Sequence, residues 1–406
     1  MKVRSVTCFF DPRSSQAYRH LDTLSTLARD AVTLFGSAGM EAQTTRLATV
    51  PFPLLYQTED LPAAVQLAQT LESDAAERGF TYLSLGPALP AYPTSFDLVA
   101  PILAATKNVF LTGLIATPAE GLSLPAARAC ARIITQATTL EPEGFANLRF
   151  AALANLSPHG PFFPGSFHAG ERPGFSLAVE CADVVLDVFR KAVSLADGRQ
   201  RLITALEDHA SALTTRAVHL AQQYNLDFYG IDFSPAPYPQ DWCSLGAAIE
   251  QLGPAALGLS GSLAAAAFVA DSLDRGRWLK VGFNGLMLPV LEDSRLAKRA
   301  AEGSLTLKDL LLYSAVCGCG LDTVPLPGDA SAEQITGVLL DVGALALRLN
   351  KPLVARLMPI PGKAAGDPTG FDFEFFANSR VLALDAAPLQ RGFANSEESL
   401  SIKPRG

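Results

Sequence analysis

Residues 312–363 read LYSAVCGCGLDTVPLPGDASAEQITGVLLDVGALALRLNKPLVARLMPIPGK. Three regimes follow one another in this stretch. Cys317 to Asp329 is dense in glycine and proline, which turn a chain tightly or stiffen it. From Ala332 onward, Ile335, Val338, Leu339, Val342, Leu345, Ala346 and Leu349 recur at helical spacing, and Asn350 suits the C-terminal stop. Leu353 to Met358 is then a short apolar run of strand length, closed by Pro359. A turn-rich loop, a helix and a strand in succession form one repeat unit of an α/β fold.

The same alternation runs upstream. Val3–Phe10, Thr44–Pro51, Tyr82–Leu85, Val109–Ile115, Phe150–Leu156 and Tyr229–Phe233 read as strands, and Arg380–Leu384 as a last one; Phe175–Glu180 reads as a short segment leading into a helix, and Lys280–Phe283 opens the segment NGLMLPVLED. Helical spacing fills most of the intervals, notably 14–35, 61–79, 123–139 and 202–224. Alternating strands and helices predict a mostly parallel sheet. No internal repeat or long linker divides the chain. The expectation is a single α/β domain over 1–385 with a polar C-terminal tail, 386–406, that frays.

Composition narrows the class. The chain has 406 residues, 49% hydrophobic and 18% charged, which supports a large packed core rather than disorder. The net charge of −8, without a Lys/Arg stripe, argues against nucleic acid as a partner. The longest apolar stretch, Leu245 to Leu273, is interrupted by Glu250, Gln251, Pro254 and Asp271, so buried helices are expected there and no membrane span. The N-terminal residues read as a strand rather than a secretion signal. Six dispersed cysteines fit reduced thiols in the cytoplasm.

Several residues invite chemistry, and each has a plainer reading. Cys317 and Cys319 sit among glycines just past a helix; Cys317 is a candidate nucleophile, or both are small buried hydrophobes. Asp322 is a candidate acid/base or metal ligand, and with Asp329 it offers oxygen ligands to a divalent cation. Asp329 is alternatively a cap, with Ser331, for the following helix. Arg356 and Lys363 are candidates for fixing a substrate's negative charge. His168 and Glu180 near the PFFPGSFH loop, and Asp232 at a strand end, are candidates for proton transfer. Asn284 and the Glu292–Asp293 pair are within reach of such a site, although a helix cap accounts for Asp293.

The segments VRSVTCFFDP, PFFPGSFH, FSLAVECADVV, YGIDFSPAP, VGFNGLMLPVLED, LLLYSAVCGCGLDTVPLPGD and NKPLVARLMPIPGK run in this order along the chain. Together they resemble the family named domain of unknown function 711. That resemblance implies a pyruvate formate-lyase-like barrel of ten strands with helices outside, whose two halves run in opposite directions, and a cytoplasmic homodimer. It would place Cys317 on a loop inserted into the barrel. The glycyl-radical motif of that barrel class is missing, since Gly392 lies in QRGFAN, so no glycyl radical is expected. The reading is an enzyme, or a non-catalytic binding or regulatory protein, for a small anionic metabolite, with the cofactor open and a divalent cation as one option.

Overall fold

The computed structural model describes residues 1–56, 60–170, 172–316 and 319–405. In chain order the elements are β1 (Lys2–Phe9), α1 (Ala17–Ser37), β2 (Ala42–Ala48), α2 (Leu61–Glu77), β3 (Tyr82–Ala88), α3 (Ser95–Ala105), β4 (Val109–Thr117), β5 (Gly121–Ser123) and α4 (Leu124–Ala137). Next come β6 (Phe150–Ala154), β7 (Gly174–Glu180), α5 (Ala182–Lys191), α6 (Leu195–Tyr224), β8 (Asp227–Ala236), α7 (Leu245–Glu250) and α8 (Ser262–Arg275). The chain finishes with α9 (Ser294–Glu302), α10 (Leu307–Ser314), β9 (Gly320–Pro327), α11 (Ala332–Arg348), β10 (Leu353–Ile360), α12 (Gly392–Asn395) and β11 (Ser399–Leu400).

The mixed α/β class is as expected. One sheet runs in the order β8-β7-β1-β2-β3-β4-β6-β10-β9, with β5 attached to β4 and β11 to β5. Strands β1, β2, β3, β4 and β6 are mutually parallel. β7 pairs antiparallel with β1 and β10 antiparallel with β6, while β8 follows β7 and β9 follows β10 in parallel. The sheet therefore reverses direction twice. β6 and β10 are buried at every position, which explains their nearly continuous apolar runs: both faces are covered.

The ten-stranded closed barrel is not what the hydrogen bonds describe, because β8 and β9 remain edges. Each edge makes one isolated parallel bridge to the segment between α8 and α9, Ile231 to Lys280 and Pro289 to Asp322. That segment holds the edges through Ile231 N–H to the Leu279 carbonyl (2.8 Å) and Val290 N–H to the Asp322 carbonyl (3.1 Å). It carries no ladder of its own.

Helix ends follow local chemistry. α6 begins at Leu195, earlier than its apolar spacing suggests, because Ser194 caps it; Asn225, at φ 54°, ends it. Its buried stripe, Leu202, Leu206, Ala210, Leu213, Ala217 and Leu220, keeps helical spacing throughout. Thr306 with Asp309 and Ser331 with Gln334 form capping boxes on α10 and α11. Ser331, not Asp329, thus caps α11, and Asp293 caps α9. Among the described residues no helix is long and apolar enough to cross a membrane.

Three expectations change. Residues 320–327, whose glycine and prolines suggested a loop, are strand β9 in the sheet wall. Arg380–Leu384 makes a single bridge, Arg380 to Pro368, instead of a strand. The polar tail does not fray: β11 pairs with β5, and Arg128 donates to the Ser396 carbonyl at 2.8 Å.

Candidate functional site

Arginine at position 356 lies in the middle of β10, a strand otherwise composed of Leu, Val, Ala, Met, Pro and Ile. A cation in such a place needs partners, since an isolated buried charge is very costly. Its Nε donates to Asp322 Oδ1 on β9 at 2.6 Å, and its second guanidinium edge donates to Glu292 Oε1 at 2.8 Å. The chain of alternating charge continues. Arg4 on β1 meets Glu292 Oε2 at 2.6 Å and lies 4.0 Å from Glu180 of β7, which also accepts from Gln43 at 2.9 Å. Strands far apart in sequence are stitched together by Asp322–Arg356–Glu292–Arg4–Glu180.

The local backbone aims Asp322 at this network. The pairing of β9 with β10 shifts register between Ala355 and Leu357, opposite Asp322 and Thr323. Thr323 has φ 41°, an unusual conformation for a β-branched residue, and its buried hydroxyl has no partner among the described residues. This is a bulge, the device by which a strand re-aims a side chain at a site.

A cavity of about 150 Å³ opens beside the network, lined in part by Arg4, Asp232, Ser234, Glu292, Asp322 and Arg356. Much of the rest of its wall is aromatic: Tyr82, Phe110, Phe162, Phe163, Phe373 and Phe375, with the Arg356 guanidinium 5.5 Å from the Phe162 ring centre. Arg46 of β2 enters this wall with its guanidinium 5.2 Å from the Phe163 ring centre and 5.9 Å from that of Tyr82. Its Nε donates to Thr44 Oγ1 at 3.0 Å, and no carboxylate of a described residue lies within ion-pair distance. Burial, aided by the charges of Arg4 and Arg356, pushes the Arg46 pKa down to about 9, so it remains a cation at neutral pH.

The acids are tuned in the other direction. Burial raises the Asp322 carboxyl, against the opposing charge of Arg356. Burial also raises Glu180, opposed by Gln43 and Arg4. For Arg356, burial works against the charge, but Asp322 and Glu292 prevail and its pKa is raised. Both oxygens of Glu292 are taken by arginines, whereas Asp322 uses only Oδ1 within the described residues. Its Oδ2 accepts no hydrogen bond from a described residue, and Asp322 lines the cavity.

A family model described as Uncharacterised ACR (DUF711) matches residues 1–376. The chain belongs to this family. A UPF0210 protein of Pyrobaculum aerophilum is 32% identical, covering 90% of this chain and 87% of its own. One from Pyrobaculum arsenaticum is 33% identical over 81% of this chain and 76% of its own. A third, from Methanococcoides burtonii, is 27% identical over 82% and 77%.

The residues singled out by the family-bearing segments fall into distinct places. Asp322, Arg356 and Asp232 line the cavity, and Glu180 joins it through Arg4 and Gln43. Asp232 is committed to the backbone: it accepts from Ser234 Oγ (2.6 Å), Phe283 N–H (2.9 Å) and Asn284 N–H (3.0 Å), pinning the segment after α8 to β8. Burial nonetheless raises its pKa. Asn284 accepts from Phe233 N–H and Trp278 Nε1–H, and its amide nitrogen donates to the Val281 carbonyl, so it ties this segment to β8. Lys363 donates to the Pro368 carbonyl at 2.7 Å and steadies a surface turn.

His168 lies away from the cavity. Its Nδ1 is 3.0 Å from His159 Nε2, and His159 stacks on Tyr229 with ring centres 3.8 Å apart. Asp329 is exposed in the turn two residues beyond the end of β9, whereas Asp322 is buried near the start of that strand. Among the described residues no group of three or more His, Cys, Asp and Glu is placed to hold a metal ion. Cys317 lies outside the described residues. Cys319 is buried, with Sγ 3.9 Å from Ser234 Oγ.

The sequence reading missed Arg4 and Arg46 altogether. The signal was there: each is a lone charge inside an apolar strand run, VRSVTCFF and TTRLATV. A charge at such a position faces either solvent or an internal site, and only the curvature of the sheet tells which.

Proposed function

We propose that this protein is an enzyme that transfers a proton to or from a small anion held in the cavity. The observation that carries the reading is Arg46, a cation facing the cavity without a carboxylate partner among the described residues. A half-buried cation left in this way suits a site built for a charged ligand, because the ligand supplies the missing counter-charge. Arg4 and Arg356, by contrast, are already neutralised and serve to hold the acids. Asp322 Oδ2 supplies the acid/base atom, with the carboxyl raised by burial toward the range where proton transfer is effective.

In this reading the segment between α8 and α9 acts as the tenth strand of a barrel, the cavity is its interior, and Phe373 and Phe375 close its mouth. The family resemblance adds a homodimer in the cytoplasm. A non-catalytic binding role is the second reading, favoured by the full occupation of Glu292 and of Glu180's Oε2 by protein partners.

The test is incubation with pooled small carboxylates and phosphates in deuterated water, followed by mass analysis. Proton transfer at carbon puts deuterium into one compound, and Asp322→Asn and Arg46→Met each abolish the label. Binding without label or product in any compound would replace the catalytic reading with the binding one.

A further inference from the structure

We infer that the anion is a compact aryl carboxylate: one apolar ring bearing a single negative charge. The inference rests on the reading of Arg46 as the anion anchor and names what that anchor takes. Charge comes first. Among the described residues, Arg46 is the cavity-lining cation left over once Arg4 and Arg356 are paired with Glu292 and Asp322. A second negative charge on the ligand would find no free cation and would face those acids across a cavity of low dielectric, where like charges repel strongly. A monoanion is matched; a phosphate dianion is not.

The body of the ligand follows from the walls. Arg46 lies against Phe163 and Tyr82, and Phe110 packs edge-on to both, with ring centres 5.5 and 5.1 Å away. A carboxylate on the guanidinium therefore carries its carbon skeleton along aromatic faces, which favour an apolar or aromatic group in offset or edge contact. Phe373 and Phe375 add further apolar surface to the cavity lining.

Volume sets the size. A cavity of about 150 Å³ matches the engineered apolar cavity of about 150 Å³ that admits benzene. One ring fills that volume, and a two-ring or long-chain acid would reach past it into the open side of the cavity.

Titration calorimetry on the full-length protein at neutral pH tests this with benzoate, acetate and inorganic phosphate. Benzoate should bind at least tenfold more tightly than acetate and than phosphate. Arg46→Met should abolish benzoate binding, and Phe373→Ala should lower benzoate affinity by a larger factor than acetate affinity, so that the benzoate-to-acetate ratio falls. Equal affinities for the three anions, all lost in Arg46→Met, would overturn the aryl carboxylate while the anion site stands. Absence of binding by all three, or binding indifferent to Arg46→Met in a folded variant, would overturn the anion site and the ligand class with it.

Discussion

Arg356 Nε and Asp322 Oδ1 meet at 2.6 Å across two adjacent parallel strands, and both side chains are almost wholly buried. The contact joins structure to site: the same pair bridges β9 to β10 at the bulge and lines the cavity. Removing one partner leaves a buried charge with half its compensation. Asp322→Ala should cost about 3–5 kcal/mol, the usual range for breaking a buried ion pair. Asp322→Asn, which retains an acceptor for Arg356, should cost less. Urea denaturation of the two variants gives the comparison, and equal stabilities for Asp322→Ala and the native chain would show that the pair holds nothing together.

Arg46 should behave in the opposite way. Its charge is half-buried beside aromatic rings, with Arg4 and Arg356 near enough to oppose it. Replacing it with methionine keeps volume and removes the charge. Arg46→Met should raise ligand-free stability by about 1 kcal/mol, in the range seen when a strained functional group is removed. A melting-temperature increase at neutral pH is the expected readout. A decrease would mean that Arg46 is part of the structural scaffold rather than a ligand anchor.

The imidazole of His159 supplies a pH signature away from the cavity. Burial, with a smaller contribution from His168, pushes its pKa down from 6.5 to about 4. Between these values the unfolded chain binds more protons than the folded one, so stability rises with pH there. The contribution of His159 is fully present above pH 6.5 and is lost as pH falls toward 4, by on the order of 2–3 kcal/mol. The buried carboxyls Asp322, Glu180 and Asp232, raised above their ordinary values, act in reverse and favour the folded state as pH falls. Comparing His159→Gln with the native chain isolates the histidine: its melting temperature should fall less steeply from pH 6.5 to 4.

Gly282 marks where the segment after α8 meets β8. Its φ is +78°, and a Cβ there would overlap the Asp232 carboxylate. Gly282→Ala should therefore destabilise by well over 1 kcal/mol, since strain in the backbone adds to displacement of a carboxylate that accepts from Phe283 and Asn284 N–H. Thermal denaturation checks the loss, and amide exchange at Phe283 and Asn284 locates it; unchanged protection at both would remove Asp232 as the anchor of that segment.

Much of the candidate site was legible one residue at a time. Asp322, Arg356 and Asp232 stand out as charges in apolar or turn-rich surroundings, and all three line the cavity. Lys363 and Asn284 stood out equally and proved to hold a turn and a loop. Local sequence reports that a polar group is out of place. It does not report whether the partner will be a backbone carbonyl, another side chain or a ligand.

The sequence by itself determined the elements that local rules govern. Helical spacing and capping residues placed α1, α2, α4 and α11, and apolar runs placed most strands, because propensity and amphipathic period act within a few residues. It misjudged β9, where Gly320, Pro325 and Pro327 mimic a loop; burial between β10 and the segment 289–290 overrides that preference. Only the tertiary structure decided which charges meet. Arg4, Arg46, Glu292, Asp322 and Arg356 span more than 350 positions of the chain. They converge because the order of strands in the sheet, a long-range property, sets which side chains share an interior.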